Sequence, residues 1–168
     1  MLVLGIDPGI AITGYGFVRA DGGNQVQCVT YGVVTTKAGL PDAERLRILY
    51  NELRTLIEKH QPDSSAVEKL FFQKNVKTAI SVGQARGVAL LTLAQAQQTV
   101  HEYTPNEIKQ TVCGYGNAGK GQMQRMVKTL LGLGELPKPD DAADALAVAI
   151  CHVNHHAFNT LVDKARSS

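Results

Sequence analysis

Asp7 ends a short apolar run, LVLGID, and is followed directly by Pro8 and Gly9. Strand alternation places its carboxylate on the face of Val3 and Gly5, where an unpaired charge is expensive unless something answers it. Glu68 repeats the pattern at the end of the apolar stretch SSAVE. In PDDAADALAVAI, Asp141 and Asp144 stand three apart at the start of an alanine-rich helical run and project from one face. Each acid has an ordinary explanation. A turn carboxylate caps local amides, and acids in a first helical turn favour the macrodipole; the latter suffices for Asp140. Asp144 lies a turn deeper, among Ala142, Ala143, Ala145 and Leu146. If the four meet in space, carboxylates about 4 Å apart repel by about 4 kcal/mol per pair at an effective dielectric near 20, so they protonate or recruit cations. Oxygen-only ligands select magnesium or manganese. Two such ions roughly 3.5–4 Å apart clamp the attacking and leaving oxygens of a displacement at phosphorus, which is nuclease chemistry.

The elements that must position these acids follow from the periodicity. Leu2 to Ile6 reads as a buried strand, and TGYGFVRAD and QVQCVTYGVVTT as two more, joined around Gly22 and Gly23 into an antiparallel meander. DAERLRILYNELRTLIEKHQP sets Leu46, Leu49, Leu53 and Leu56 along one helical face and stops before Pro62. SSAVE is the fourth strand. Residues 75–96 turn helical again, with Gly83 and Gly87 one turn apart, where another backbone is expected to approach. TVHEYTP is a fifth strand, PNEIKQTVC and QMQRMVKTLLGL are helices separated by GYGNAGKG, and a last helix begins near Pro139-Asp140. The expectation is an α/β fold, a five-stranded mixed sheet flanked by helices, forming one domain over 1–158 with a short tail over 159–168.

At 168 residues and 44% hydrophobic content the chain suits one domain with a sizeable core. No apolar run approaches the roughly 20 residues of a membrane span, and no charged region precedes the first apolar stretch, so a cytoplasmic location is expected. Cys28, Cys113 and Cys151 are scattered, without a CxxC pair, and read as buried free thiols. The net charge of +2 says little, but residues 69–138 hold nine Lys or Arg against three Glu, leaving the flanks acidic. On charge alone this is ordinary solvated surface.

The set GIDPG…TGYG, QPD…VE, NVKTAISVGQARG, IKQTVCGYGNAGKGQ and DDAADALA, in this order and spacing, resembles the RuvC family of bacterial Holliday-junction resolvases over nearly the whole chain. The resemblance implies an RNase H-like fold and a homodimer that cuts two strands of a four-way DNA junction in recombination and repair. It also implies Mg2+, two ions per site with Mn2+ as a substitute. Position by position, it implies that Asp7, Glu68, Asp141 and Asp144 bind metal, that Phe71 stacks on a base, and that Lys109 and Lys120 lie near the scissile strand. The RuvA–RuvB branch-migration complex is the implied partner. Asp140 is an acid beside the family's pair, and the Asp-Ala-Ala-Asp spacing favours Asp141 as the ligand.

Several residues admit other readings. Gly114, Gly119 and Lys120 have P-loop spacing, but Gly121 replaces the Ser or Thr that would hold Mg2+, and a helix rather than a strand precedes them. FFQKN offers one core and one surface Phe, or a Phe71 that leaves the strand to stack on an unpaired base. His152 and His155 have zinc-compatible spacing, although cations near a helix C-terminus are the commoner arrangement. Against a nuclease stand an actin- or sugar-kinase-like ATPase domain, which shares the strand-Asp-glycine opening but needs two such domains, and a non-catalytic junction-binding module, which needs the basic segment without the acids.

Overall fold

The computed structural model describes residues 1–21, 25–69 and 76–166, with side chains from residue 79 in the last segment. Its β1 (Leu2–Asp7), β2 (Ile12–Asp21) and β3 (Gln25–Thr35) form the expected antiparallel meander. α1 (Asp42–His60) then carries the chain across to β4 (Ser64–Glu68), which lies parallel to β1. α2 (Val76–Gln95) makes the next crossover, to β5 (Val100–Tyr103), parallel to β4. The sheet order is β3-β2-β1-β4-β5. α3 (Pro105–Cys113), α4 (Lys120–Leu130) and α5 (Asp140–Arg166) complete the chain.

Period-two alternation sorts the strand residues onto two apolar layers. Leu4, Ile6, Phe17 and Val67 meet Leu49, Leu53 and Ile57 of α1 and Ala85, Ala89 and Leu93 of α2. On the other face Val3, Val18, Ala66 and Tyr103 meet α3, α4 and α5, through Ile108, Val112, Met123, Val127 and Leu146. Since the sheet is covered on both sides here, β1 is apolar on both faces up to Asp7, while β4 begins with the buried Ser64 and Ser65, hydrogen-bonded to His152 and Gln98, before its apolar Ala66 and Val67.

α5 lies unusually low on the sheet. Its facing side chains are small, with Ala142, Ala145 and Ala149 all buried, and the strands beneath it carry glycine. A Cβ on Gly5 would stand 2.6 Å from the Ala149 amide nitrogen, and one on Gly14 would run into the Asp141 carbonyl oxygen. Only glycine lets the first turns of α5 rest on the main chain of β1 and β2.

α5 also runs further than expected. Residues 159–166 contain no Gly or Pro and continue the helix, where a tail beginning at 159 was expected, so Phe158 and Leu161 project, each 65% exposed. Lys164 and Arg166 in its last turn complement the helix dipole. Gly83 and Gly87 differ as well: among the described residues, beyond their own helix turns, nothing comes within 4 Å of a Cβ built at either.

Candidate active site

β1 and β4 are parallel neighbours with Ile6 opposite Val67, so Asp7 and Glu68, one residue further on, end their strands side by side. Asp7 shares a face with Val3 and Gly5, and Glu68 with Ser64 and Ala66, so both carboxylates point towards α5. Gly14 is the cross-strand partner of Asp7, and the main chain of Asp141 sits on it. That seat delivers the first turn of α5, with Asp141 and Asp144, to the strand ends. The turn after Asp7 is tied by Thr13, fully buried, whose hydroxyl donates to the Gly9 carbonyl at 2.6 Å and accepts from the Gly9 amide at 3.2 Å.

The electrostatics record how closely the acids gather. Burial, followed by the charges of Glu68, Asp144 and Asp141, pushes the Asp7 carboxyl up to about 8, with Lys120 opposing. Burial and then Asp144 push Glu68 up to about 7, with Lys109 opposing. Asp144 is raised too, chiefly by burial, with Lys120 pulling the other way. Lys120 opens α4, its Nζ 3.8 Å from Asp144 Oδ2 and 3.1 Å from Asp140 Oδ2. Lys109 comes from α3, whose start is fixed by a reciprocal Thr104–Glu107 capping box. Glu68, Lys109, Lys120 and Asp144 line a cavity of about 260 Å3.

All four acids singled out in the sequence therefore come together, with both lysines beside them. Among the described residues, no group of three or more His, Cys, Asp or Glu side chains is arranged to hold a metal ion as it stands. The donor chemistry nevertheless fits one: four oxygen ligands, three with raised proton affinity, form a site whose repulsion a hard divalent cation would relieve. Phe71 lies outside the described residues. Asp140 points outward, accepting from Lys120 and, at 2.6 Å, from Gln124 Nε2. The GYGNAGKG segment follows α3 rather than a strand, and Gly119 caps α4, so no P-loop forms.

Two features escaped the sequence reading. Gly14 was visible only as part of TGYG, since its role depends on what lies above it. His152 is not at a helix end: α5 continues to Arg166, and the imidazole is 2% exposed. Its Nε2 lies 2.9 Å from Ser64 Oγ and its Nδ1 2.8 Å from Tyr103 Oη, while His101 stacks on it with centroids 4.2 Å apart. Burial, with His101, His156 and His155 adding, pulls its pKa down to about 4, so it is a neutral tie between α5, β4 and β5. Its one sequence signal was a polar residue inside the apolar run AICHV.

A three-stranded meander extended by two parallel strands, with acids at adjacent strand ends and on a helix laid across them, defines an RNase H-like domain with an acidic centre. A family model described as crossover junction endodeoxyribonuclease RuvC matches residues 3–152. The chain belongs to the RuvC family. A RuvC from Chloroflexus aggregans is 61% identical over 152 residues, covering 90% of this chain and 92% of the relative. A RuvC from Halothermothrix orenii is 54% identical over 159 residues, covering 95% and 96%. Among solved structures, Thermus thermophilus RuvC in complex with Holliday junction substrate superposes with a TM-score of 0.90 at 35% identity, covering 95% of this chain and 97% of that one. The yeast mitochondrial Holliday junction resolvase Ydc2 shares the fold, with a TM-score of 0.63 at 19% identity.

Proposed function

We propose that this chain is a Holliday junction resolvase, a metal-dependent endonuclease that hydrolyses one phosphodiester in each of two strands of a four-way DNA junction. The observation that carries this reading is the convergence of Asp7, Glu68, Asp141 and Asp144 at the β1 and β4 ends beneath α5, within a RuvC-family fold. These four side chains would hold Mg2+, or Mn2+ in its place, two ions per site. The bound metal supplies Lewis-acid stabilisation of charge at phosphorus and a water of lowered pKa.

The chain's own residues do the rest. β1, β4 and α5 are rigid elements, so the carboxylates are oriented before DNA arrives, and less reorganisation is needed at reaction. Lys109 and Lys120 border the acids and take the scissile phosphate, adding positive charge where the acids would otherwise repel it. Phe71 stacks on a base unpaired at the crossover. No helix among the described residues is long and apolar enough to cross a membrane, and a cytoplasmic enzyme working with the RuvA–RuvB complex fits this reading.

Two cuts need two sites, and a two-fold dimer matches the junction's symmetry. The outer face of α2 suits a second copy: Ile80 and Leu91 are 58% and 54% exposed, with the open Gly83 and Gly87 between them. The test is a synthetic four-way junction beside a linear duplex of the same sequence, with and without Mg2+. Paired nicks in the junction alone, requiring Mg2+, are expected. Binding without cleavage would leave a non-catalytic module, and cleavage of neither by a stable dimer would overturn the reading. A junction with unpaired central bases should rescue Phe71→Ala; failure to rescue returns Phe71 to the core.

A further inference from the structure

Arg86 lies on α2, against the face of the sheet opposite the acids, and its side chain is only 20% exposed. It forms an ion pair with Glu102 on β5, and its Nε donates to the main-chain carbonyl of Glu68 at 3.4 Å. Glu102 is paired in register with Val67, so one guanidinium grips both parallel strands at their ends, from behind the site. The planar guanidinium fork holds a carboxylate and a carbonyl at once in one fixed geometry, which a flexible ammonium does not.

The hold falls where β4 needs it. Glu68 is the last residue of β4, and the ladder with β1 ends at Val67. On the β5 side the Lys69 amide still donates to the Tyr103 carbonyl, at 2.8 Å. On the α2 side, Arg86 gives the Glu68 main chain a polar anchor. The Glu68 carboxylate meanwhile lines one cavity with Asp144, so two like charges stand close together. A strand end free to swing would relax that repulsion by moving Glu68 away from the other acids.

We propose that Arg86 is a positioning residue for the metal centre: by clamping the Glu68 main chain to Glu102 and α2, it keeps the Glu68 carboxylate within the acid cluster. This rests on the reading of the four acids as metal ligands. Arg86 touches neither metal nor DNA in this role, so its removal acts on metal affinity rather than on junction affinity.

The test is direct Mn2+ binding by electron paramagnetic resonance on the full chain, alongside melting temperature and junction affinity in Ca2+. Arg86→Met is expected to raise the Mn2+ dissociation constant about tenfold, the lower end of the effect of removing an orienting partner behind a metal ligand. Arg86→Lys keeps the charge facing Glu102 but loses the fork, and a rise of a few fold is expected with the melting temperature retained. Junction affinity stays within about twofold in both. Wild-type Mn2+ affinity in both variants overturns the proposal, as does a loss only in proportion to unfolded protein. Should Arg86→Met fail to fold, Arg86→Lys alone decides. Asp7→Asn is the control: if it leaves Mn2+ binding unchanged, the metal reading of the acids falls and the Arg86 proposal with it, whereas unchanged Arg86 variants overturn the clamp alone.

Discussion

Replacing Asp7 by Asn should make the metal-free protein more stable while abolishing cleavage. The Asp7 carboxyl stands at about 8 against an ordinary 3.8, mainly because it is buried. At about 1.4 kcal/mol per pKa unit, its ionised form is disfavoured by at most about 6 kcal/mol, which solvent relaxation in a half-open site reduces to about 2–4 kcal/mol. Between pH 3.8 and about 8 the folded carboxyl holds a proton that the unfolded one has released. Stability contributed by the protonated form is therefore complete below pH 3.8 and lost as pH rises through about 8. Asp7→Asn removes that loss without removing volume. In EDTA at pH 8.5 the variant should melt roughly 5–10 °C above wild type, the difference closing as pH falls towards 4. Mg2+ should stabilise wild type and do little for the variant. Cleavage should fall at least about 100-fold, equivalent to about 3 kcal/mol of transition-state stabilisation, while junction binding persists or tightens. The reasoning is refuted if the variant is no more stable than wild type above pH 8 without metal, or if it cuts at near wild-type rate in saturating Mg2+.

Four further substitutions test the site and the contacts that support it. Lys120→Ala should lower junction affinity and reduce the log–log salt slope by about 0.9, the loss of one phosphate contact, whereas Asp140→Asn should cut almost normally because its ion pair with Lys120 is solvent-exposed; salt titrations and cleavage rates read both. Gly14→Ala would drive a methyl into the Asp141 carbonyl, so α5 must lift from the site; stability should fall by about 1–3 kcal/mol and cleavage more steeply, and a variant normal in urea unfolding and cleavage would contradict the seat. His152, pulled down to about 4, contributes stability that is present above pH 6.5 and lost as pH falls through about 4. Urea melts from pH 7 to 4.5 should show His152→Gln losing about 2 kcal/mol less over that range than wild type, and parallel curves would refute the neutral tie.

By itself the sequence determined the elements and the acids, because both are written in local spacing. Period two ends LVLGID and SSAVE on carboxylates, period 3.6 makes amphipathic helices of the leucines between Leu46 and Leu56, and an i,i+3 interval puts Asp141 and Asp144 on one helical face. Alternation even assigns Asp7 to the face of Gly5. It cannot say which strands are neighbours, because pairing is decided by how the whole sheet buries both faces. Tertiary structure therefore placed β1 beside β4, bringing Asp7 next to Glu68, and seated Asp141 on Gly14, a glycine whose meaning lies in the helix above it. It also carried α5 past the expected tail, since a helix ends where a breaker or lost packing ends it, and residues 159–166 contain no breaker. His152 meets Ser64 and Tyr103 across elements far apart in the chain, and Arg86 ties the consecutive elements β4, α2 and β5 through Glu102 and the Glu68 carbonyl. Their geometry arises only when the layers close, because a buried polar group must find its partner among whatever the fold brings near it.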